Sequence, residues 1–335
     1  MISLRAPEFW WRKAGAAAAL LYPAAAIYGA IASRRMHREG YRAGIPVICI
    51  GNPTLGGAGK TPTAIAIAEL LKRGGKNVFF LTRGYGGSES GPLLADLSKH
   101  DSSAIGDEAP LLAAVAPTVV AHDRAAGARL AEASGADVIV MDDGFQNPSL
   151  MKNFSLLVVD GARGIGNGLV FPAGPLRAPF EQQFRRANAM LVTGEGEAGE
   201  TAARLAEKNG LPVFTAELLP DPESAAALKS GRVLAFAGIG APEKFFRSLE
   251  AAGAVVAGKK SFGDHHRYTG AEAAQLLAEA SAAGLQLVTT EKDLARMRGD
   301  EKLAALCAAT KTLRVAISFG DESALFHAVG NALKR

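Results

Sequence analysis

The densest chemical signal in the sequence is Gly51-Asn52-Pro53-Thr54-Leu55-Gly56-Gly57-Ala58-Gly59-Lys60-Thr61-Pro62. Glycines let successive backbone N–H groups face one anion, and a helix opening at Lys60 would add its own free N–H groups. Residues 54–61 would cradle the phosphates of a nucleoside triphosphate, with Lys60 on the β- and γ-oxygens and Thr61 on a magnesium ion. Thr54 stands where the pattern G-x-x-x-x-G-K-[ST] has its first glycine. The apolar strand before the loop and the helix after it supply the context that the pattern needs.

Other acidic and basic residues could join that loop. Asp142 and Asp143 follow the apolar run Val138–Met141, so they sit where a strand ends and suit Mg²⁺ coordination, directly or through water. The plain alternative is a surface turn, for which Asp-Gly is a common choice. Asp107, in Gly106-Asp107-Glu108, is a helix N-cap by its simplest reading and a proton acceptor for an attacking hydroxyl by another. Asp264-His265-His266 reads as a structural pair, or as a functional one if a second domain closes over the nucleotide. Arg83 and Arg177 lie in glycine- and proline-bounded loops, either solvated or touching phosphate.

These residues need elements to hold them. Short apolar runs at 46–50, 77–81, 118–121, 138–141, 156–159 and 189–192 alternate with helical stretches such as 61–73, 108–116 and 125–133. Such alternation implies a parallel sheet covered by helices. A second α/β unit starts near Gly231, with a strand at 233–236, Pro242 in the first turn of a helix and a Thr269/Glu272 capping box. The expected fold class is therefore α/β, a P-loop NTPase-like core plus a second, smaller C-terminal α/β domain. The boundaries read as an N-terminal helical segment over 1–44, the core over 45–212, a proline-bearing linker over 213–230 and the smaller domain over 231–335.

Composition narrows the setting. With 335 residues, 48% hydrophobic and 21% charged, the chain can bury two cores. Two distant cysteines, Cys49 and Cys307, form neither a disulfide framework nor a thiolate metal site. The net charge of +4 is concentrated in residues 1–44, where Arg5, Arg12, Lys13, Arg34, Arg35, Arg38 and Arg42 face only Glu8 and Glu39. That placement suits anionic lipid headgroups and leaves the folded domains without the basic face that nucleic acid requires. Ala14–Ser33 is uncharged. By length it could span a membrane, by its start it could be a signal peptide, and by composition it could pack on the chain's own core. The preferred expectation is a membrane-surface helix, anchored by Phe9, Trp10, Trp11, Leu20, Leu21, Tyr22, Ile27 and Tyr28.

Eight blocks run in order from residue 51 to 293: GNPTLGGAGKTP, LTRGYGG, GDEAPLLA, DDGFQN, FPAGPLR, GIGAPEKFF, FGDHHRYT and TTEKD. Together they resemble the tetraacyldisaccharide 4'-kinase family, the lipid A 4'-kinases of Gram-negative bacteria. The resemblance implies ATP and Mg²⁺ as cofactors, a lipid A disaccharide precursor as acceptor and a place at the cytoplasmic face of the inner membrane, peripheral or N-terminally anchored. It implies no nucleic acid and no obligate protein partner. It also implies site roles: Lys60 and Thr61 for nucleotide and metal, Asp107 as catalytic base oriented by His265 or His266, Asp142 and Asp143 for metal or water, and Arg177 for phosphate. Two positions depart from the family pattern, Asn147 where histidine is usual and Ala178 where glutamate is usual. The rival expectations are a membrane-surface ATPase switch, disfavoured by Leu55 where such switches often carry lysine, and a soluble small-molecule kinase.

Overall fold

The computed structural model describes residues 6–333; Arg5 of the basic cluster and the last two residues of the expected smaller domain lie outside them. The strands are β1 Val47–Gly51, β2 Val78–Thr82, β3 Leu93–Leu94, β4 Thr118–Val120, β5 Val138–Asp142, β6 Phe154–Asp160, β7 Ala189–Thr193, β8 Val213–Pro220, β9 Arg232–Ala237, β10 Val255–Ser261, β11 Gln286–Thr290, β12 Thr310–Leu313 and β13 Val315–Phe319. The helices are α1 Ala16–Met36, α2 Lys60–Arg73, α3 Ser102–Ile105, α4 Ala109–Ala113, α5 Arg124–Ala133, α6 Phe180–Phe184, α7 Glu197–Lys208, α8 Pro222–Ala226, α9 Pro242–Ala251, α10 Gly270–Ala283, α11 Glu291–Met297, α12 Ala304–Ala309 and α13 Glu322–Leu333.

The first sheet has the order β13-β8-β7-β6-β1-β5-β2-β4-β3. It is parallel throughout except at its edges, where β13 runs against β8 and β3 against β4. β1 and β5 are buried on both faces, which is why both read as unbroken apolar runs. Alternate residues feed separate cores. Val47 and Cys49 pack with α5 and α7, whereas Ile48 and Ile50 pack with α2 and α13. The second sheet, β10-β9-β11-β12, is parallel, with α9 packed on one face and α10 and α12 on the other.

The domain boundaries differ from the sequence expectation at two places. Residues 213–220, expected within a linker, form β8 and pair with β7 in the large sheet. Residues 315–333, expected in the smaller domain, return as β13 and α13, with Leu325 and Val329 buried in the first core. The chain thus leaves the core through β8 and re-enters through β13, so the second domain hangs on an antiparallel pair of strands.

Helix α1 is long and apolar enough to cross a membrane by length and composition. It rests on the core through a stripe of small residues, Ala18, Ala25 and Gly29, continued by Met36. At Gly29, a Cβ would stand 3.5 Å from Pro179 and 3.7 Å from Val170, ordinary contact distances, so the helix lies close against these side chains. The opposite face carries Leu20 (82% exposed), Ile27 (65%) and Ile31 (63%). Trp10, expected as a membrane anchor, is instead buried: its indole N–H donates to the Pro172 carbonyl at 3.0 Å, and its ring meets Phe171 edge-on. Trp11 takes the Arg163 guanidinium over its ring.

Candidate active site

β1 delivers the phosphate loop at the carboxyl end of the sheet, next to β5, which delivers Asp142. The close approach of the two strand ends requires Gly51, because a Cβ there would stand 2.4 Å from the Phe145 Cβ. Gly59, at φ +83°, makes the left-handed turn that starts α2 at Lys60. Inside the loop, the Asn52 side-chain amide donates to the carbonyls of Thr54 (2.7 Å) and Gly56 (3.0 Å). From outside, Leu55 N–H donates to the Pro175 carbonyl and Arg177 N–H to that of Pro53, stitching the PAGPLR segment to the loop. The cradle is therefore preorganised by its own sequence and by a neighbour.

Its charged groups converge. Thr61 Oγ1 donates to Asp142 Oδ2 at 2.8 Å, while Asp142 Oδ1 is buried without a partner. Burial and the charge of Glu108 push the Asp142 carboxyl up to about 7, against the pull of Lys60. Asp143 holds a bidentate pair with Arg177, at 2.8 and 3.2 Å, and lies 3.6 Å from Lys60 Nζ. Burial works against its ionisation, but Lys60 and Arg177 outweigh it and hold that carboxyl below its usual range. An orphaned carboxylate oxygen beside a threonine hydroxyl, both hard oxygen donors, fits Mg²⁺. Among the described residues no three His, Cys, Asp or Glu side chains gather as a metal cage.

The second domain completes the site. His265 Nδ1 donates to Asp107 Oδ2 at 2.7 Å, and Arg296 Nε donates to the same oxygen at 2.7 Å. Burial raises the Asp107 carboxyl, but the bonds from His265 and Arg296 prevail and hold it below the ordinary range. His265 has φ +56° and Asp143 φ +55°; with Ser230 they are the described non-glycine residues in the left-handed region. Two of those three strained positions therefore belong to the candidate site. His266 points elsewhere, with Nε2 donating to Glu272 at 3.1 Å and its ring stacked on Phe262. Of the two histidines, the structure brings only His265 to Asp107.

Several site residues were not singled out by sequence. Glu108 accepts from Lys292 Nζ at 2.8 Å, and Arg296 is fixed by Gly238 O (2.6 Å) and Asp293 (2.9 Å). Their signal was a charged face on α11, where Lys292 and Arg296 are one turn apart. Arg124 is buried and feels the charge of exposed Arg83, with its Nη1 on the Ala121 carbonyl and its Nε without a partner. At the two family departures, Asn147 caps its own turn by accepting from Ser149 N–H, and Ala178 is a fully buried methyl.

A profile described as Tetraacyldisaccharide-1-P 4'-kinase matches residues 17–334. The chain belongs to this kinase family. Relatives named tetraacyldisaccharide 4'-kinase include one from Methylobacterium sp. strain 4-46, 52% identical over 99% of this chain and 98% of its own. Another, from Nitrobacter winogradskyi, is 49% identical over 96% of each. Among solved structures, the "apo" form of LpxK from Aquifex aeolicus in complex with ATP matches with a TM-score of 0.71 and 26% identity, over 94% of this chain and 99% of that one. As a member of the family the chain is a phosphotransferase.

Proposed function

We propose that ATP sits on the 54–61 loop and that its γ-phosphoryl passes to the 4'-hydroxyl of a tetraacylated glucosamine disaccharide 1-phosphate. The observation that carries this reading is the meeting of a phosphate loop with a carboxylate–imidazole pair supplied across two domains. Thr61 and Asp142, with Asp143 nearby, would hold Mg²⁺, which supplies charge neutralisation to the phosphate oxygens. Lys60 and Arg177 bind and orient the phosphates. Asp107 accepts the hydroxyl proton while His265 and Arg296 fix its carboxylate. A carboxylate held below its usual range is ionised at neutral pH and ready to accept, though weakly basic. That suits a loose transfer in which the hydroxyl needs little activation.

The acceptor is a lipid, and α1 is the element suited to meet its membrane. Its small-residue stripe packs on the core while Leu20, Ile27 and Ile31 face outward, flanked by Lys13, Arg34, Arg35 and Arg38. An apolar face bordered by cations suits the cytoplasmic leaflet of the inner membrane. The active cleft would thereby work on headgroups without extracting the acyl chains. No nucleic acid and no obligate protein partner enters this reading.

The test is incubation of purified protein with γ-labelled ATP and the disaccharide lipid in anionic vesicles. A bis-phosphorylated lipid carrying the label supports the reading, and ATP hydrolysis with unlabelled lipid contradicts it.

A further inference from the structure

Lys292 is placed against local rules. It occupies the first turn of α11, where acidic residues are favoured, and its neighbours Glu291 and Asp293 follow that preference. Within its own domain Lys292 has no hydrogen-bond partner among the described residues; its ammonium reaches across the cleft to Glu108 Oε1 at 2.8 Å. Arg296, one turn on, behaves differently, because Gly238 and Asp293 of its own domain hold it in place. A residue that breaks a local preference without serving its own domain is a candidate for function.

The surroundings give that function a chemistry. Glu108 adjoins Asp107 in sequence and feels the charges of Lys60 and Asp143, and the Lys292 ammonium feels Asp142. The tip of Lys292 thus stands on Glu108, next in sequence to Asp107 and within electrostatic reach of the charges at the phosphate loop, although its backbone belongs to the other domain. The side chain is 32% exposed, and a lysine's four-carbon stem has several rotatable bonds through which its ammonium can be re-aimed.

Building on the phosphotransfer reading above, we propose that Lys292 is a catalytic residue delivered by the second domain, its ammonium contacting the oxygens of the γ-phosphoryl group as it transfers. Glu108 parks the cation when the phosphoryl group is away. In the step itself the acceptor oxygen bonds to the γ-phosphorus as the bond from that phosphorus to the bridging oxygen breaks. The electron pair of that bond leaves with ADP, and the hydroxyl proton goes to Asp107. Lys292 exchanges no proton; it offsets charge on the transferring oxygens, as an arginine finger does in other P-loop enzymes. The cation arrives with the second domain, so transfer is confined to the closed cleft, where water is scarce.

The experiment compares wild type with Lys292→Met, Lys292→Gln and Lys292→Arg, each shown by circular dichroism and melting to be folded. Removing the ammonium is expected to lower kcat by about 10²–10³-fold, the range for one preorganised charge-stabilising group. KM for ATP and the dissociation constant of ADP should stay within about threefold, and Lys292→Arg should recover part of kcat. The decisive readout is binding of ADP with aluminium fluoride and acceptor, a mimic of the transferring group. Lys292→Met should weaken it about as much as it lowers kcat, an effect that a purely structural tie between domains would not produce. The inference is overturned if wild type is active and Lys292→Met or Lys292→Gln keeps kcat within threefold. It is equally overturned if ADP binding weakens as much as ADP–aluminium fluoride binding. A wild type that leaves the lipid unlabelled would instead sink the phosphotransfer reading itself.

Discussion

His265 Nδ1 and Asp107 Oδ2 lie 2.7 Å apart although 158 positions separate them in the chain. One residue follows β10 in the hanging domain and the other precedes α4 in the core, so the bond exists only when the two domains meet. Arg296 and Lys292 bring two more contacts to the same spot. In the proposed mechanism, catalysis at this site depends on the contact between the domains as much as on the phosphate loop.

Thr61→Ala should raise the Mg²⁺ concentration needed for half-maximal rate and lower kcat by about 10²-fold, the effect of losing one charge-organising contact. Titrating rate against Mg²⁺ checks it. An unchanged Mg²⁺ dependence would remove Thr61 and its partner Asp142 from the metal site.

Arg177→Lys keeps the charge but loses the fork that grips Asp143 through two nitrogens and the Thr54 carbonyl through a third. A point charge cannot reproduce that geometry. The expected loss is about 1.5–3 kcal/mol in kcat/KM, the worth of a hydrogen bond to a charged group. Steady-state kinetics at fixed acceptor measure it, and full activity in the lysine variant would mean that charge alone matters.

Asp142 makes a pH prediction for the metal-free protein. Its folded pKa of about 7 lies above the unfolded value of about 3.9, so the folded state holds a proton that the unfolded chain releases. That contribution to stability is complete below about pH 4 and is lost as pH rises to 7 and beyond. With EDTA, Asp142→Asn should flatten this decline and make the protein more stable than wild type at pH 8, while abolishing most activity. Urea denaturation at pH 5 and pH 8 tests it. A variant less stable than wild type at pH 8 would contradict the assigned burial of charge.

Leu20→Glu, Ile27→Glu and Ile31→Glu together should weaken binding to anionic vesicles without lowering the melting temperature, since all three side chains face solvent. Burying each in a lipid interface is worth up to about 1.5–3 kcal/mol, so the triple change should be plain in a flotation assay. Equal flotation of variant and wild type would assign α1 another role. Gly29→Leu, by contrast, should lower the melting temperature: a Cβ fits in ordinary contact with Pro179 and Val170, but the side-chain atoms beyond it must displace them.

What could be read from the sequence followed its physics. Strands buried on both faces, such as β1 and β5, announce themselves as continuous apolar runs, and the glycine loop between β1 and α2 carries its own chemistry. β8 was hidden because Pro220 closes it and Pro222 follows, a pattern that reads as linker; the structure uses Pro220 as a strand-end residue opposite Val315. β10, with Gly258, Lys259 and Lys260, alternates at half-burial and has no apolar run to notice. Trp10 looked like an anchor because nothing local shows the Pro172 carbonyl waiting for its N–H. The choice between His265 and His266 is decided by Asp107 and Glu272, and adjacency in sequence gives both histidines the same standing. Arg296 and Lys292 find Asp107 and Glu108 only on the opposite domain, a pairing that nothing local in the sequence shows.

The coupling between Asp107 and His265 is the most direct measure of whether one proton-accepting unit spans both domains. A double-mutant cycle of Asp107→Asn and His265→Ala on kcat, with labelled ATP and saturating glycolipid, reads it. Each single change should cost about 10²–10⁴-fold, the range for a general base, and the double variant should be little worse than the poorer single one. Losses that multiply in full, or an Asp107→Asn enzyme with near-normal kcat, would contradict the account.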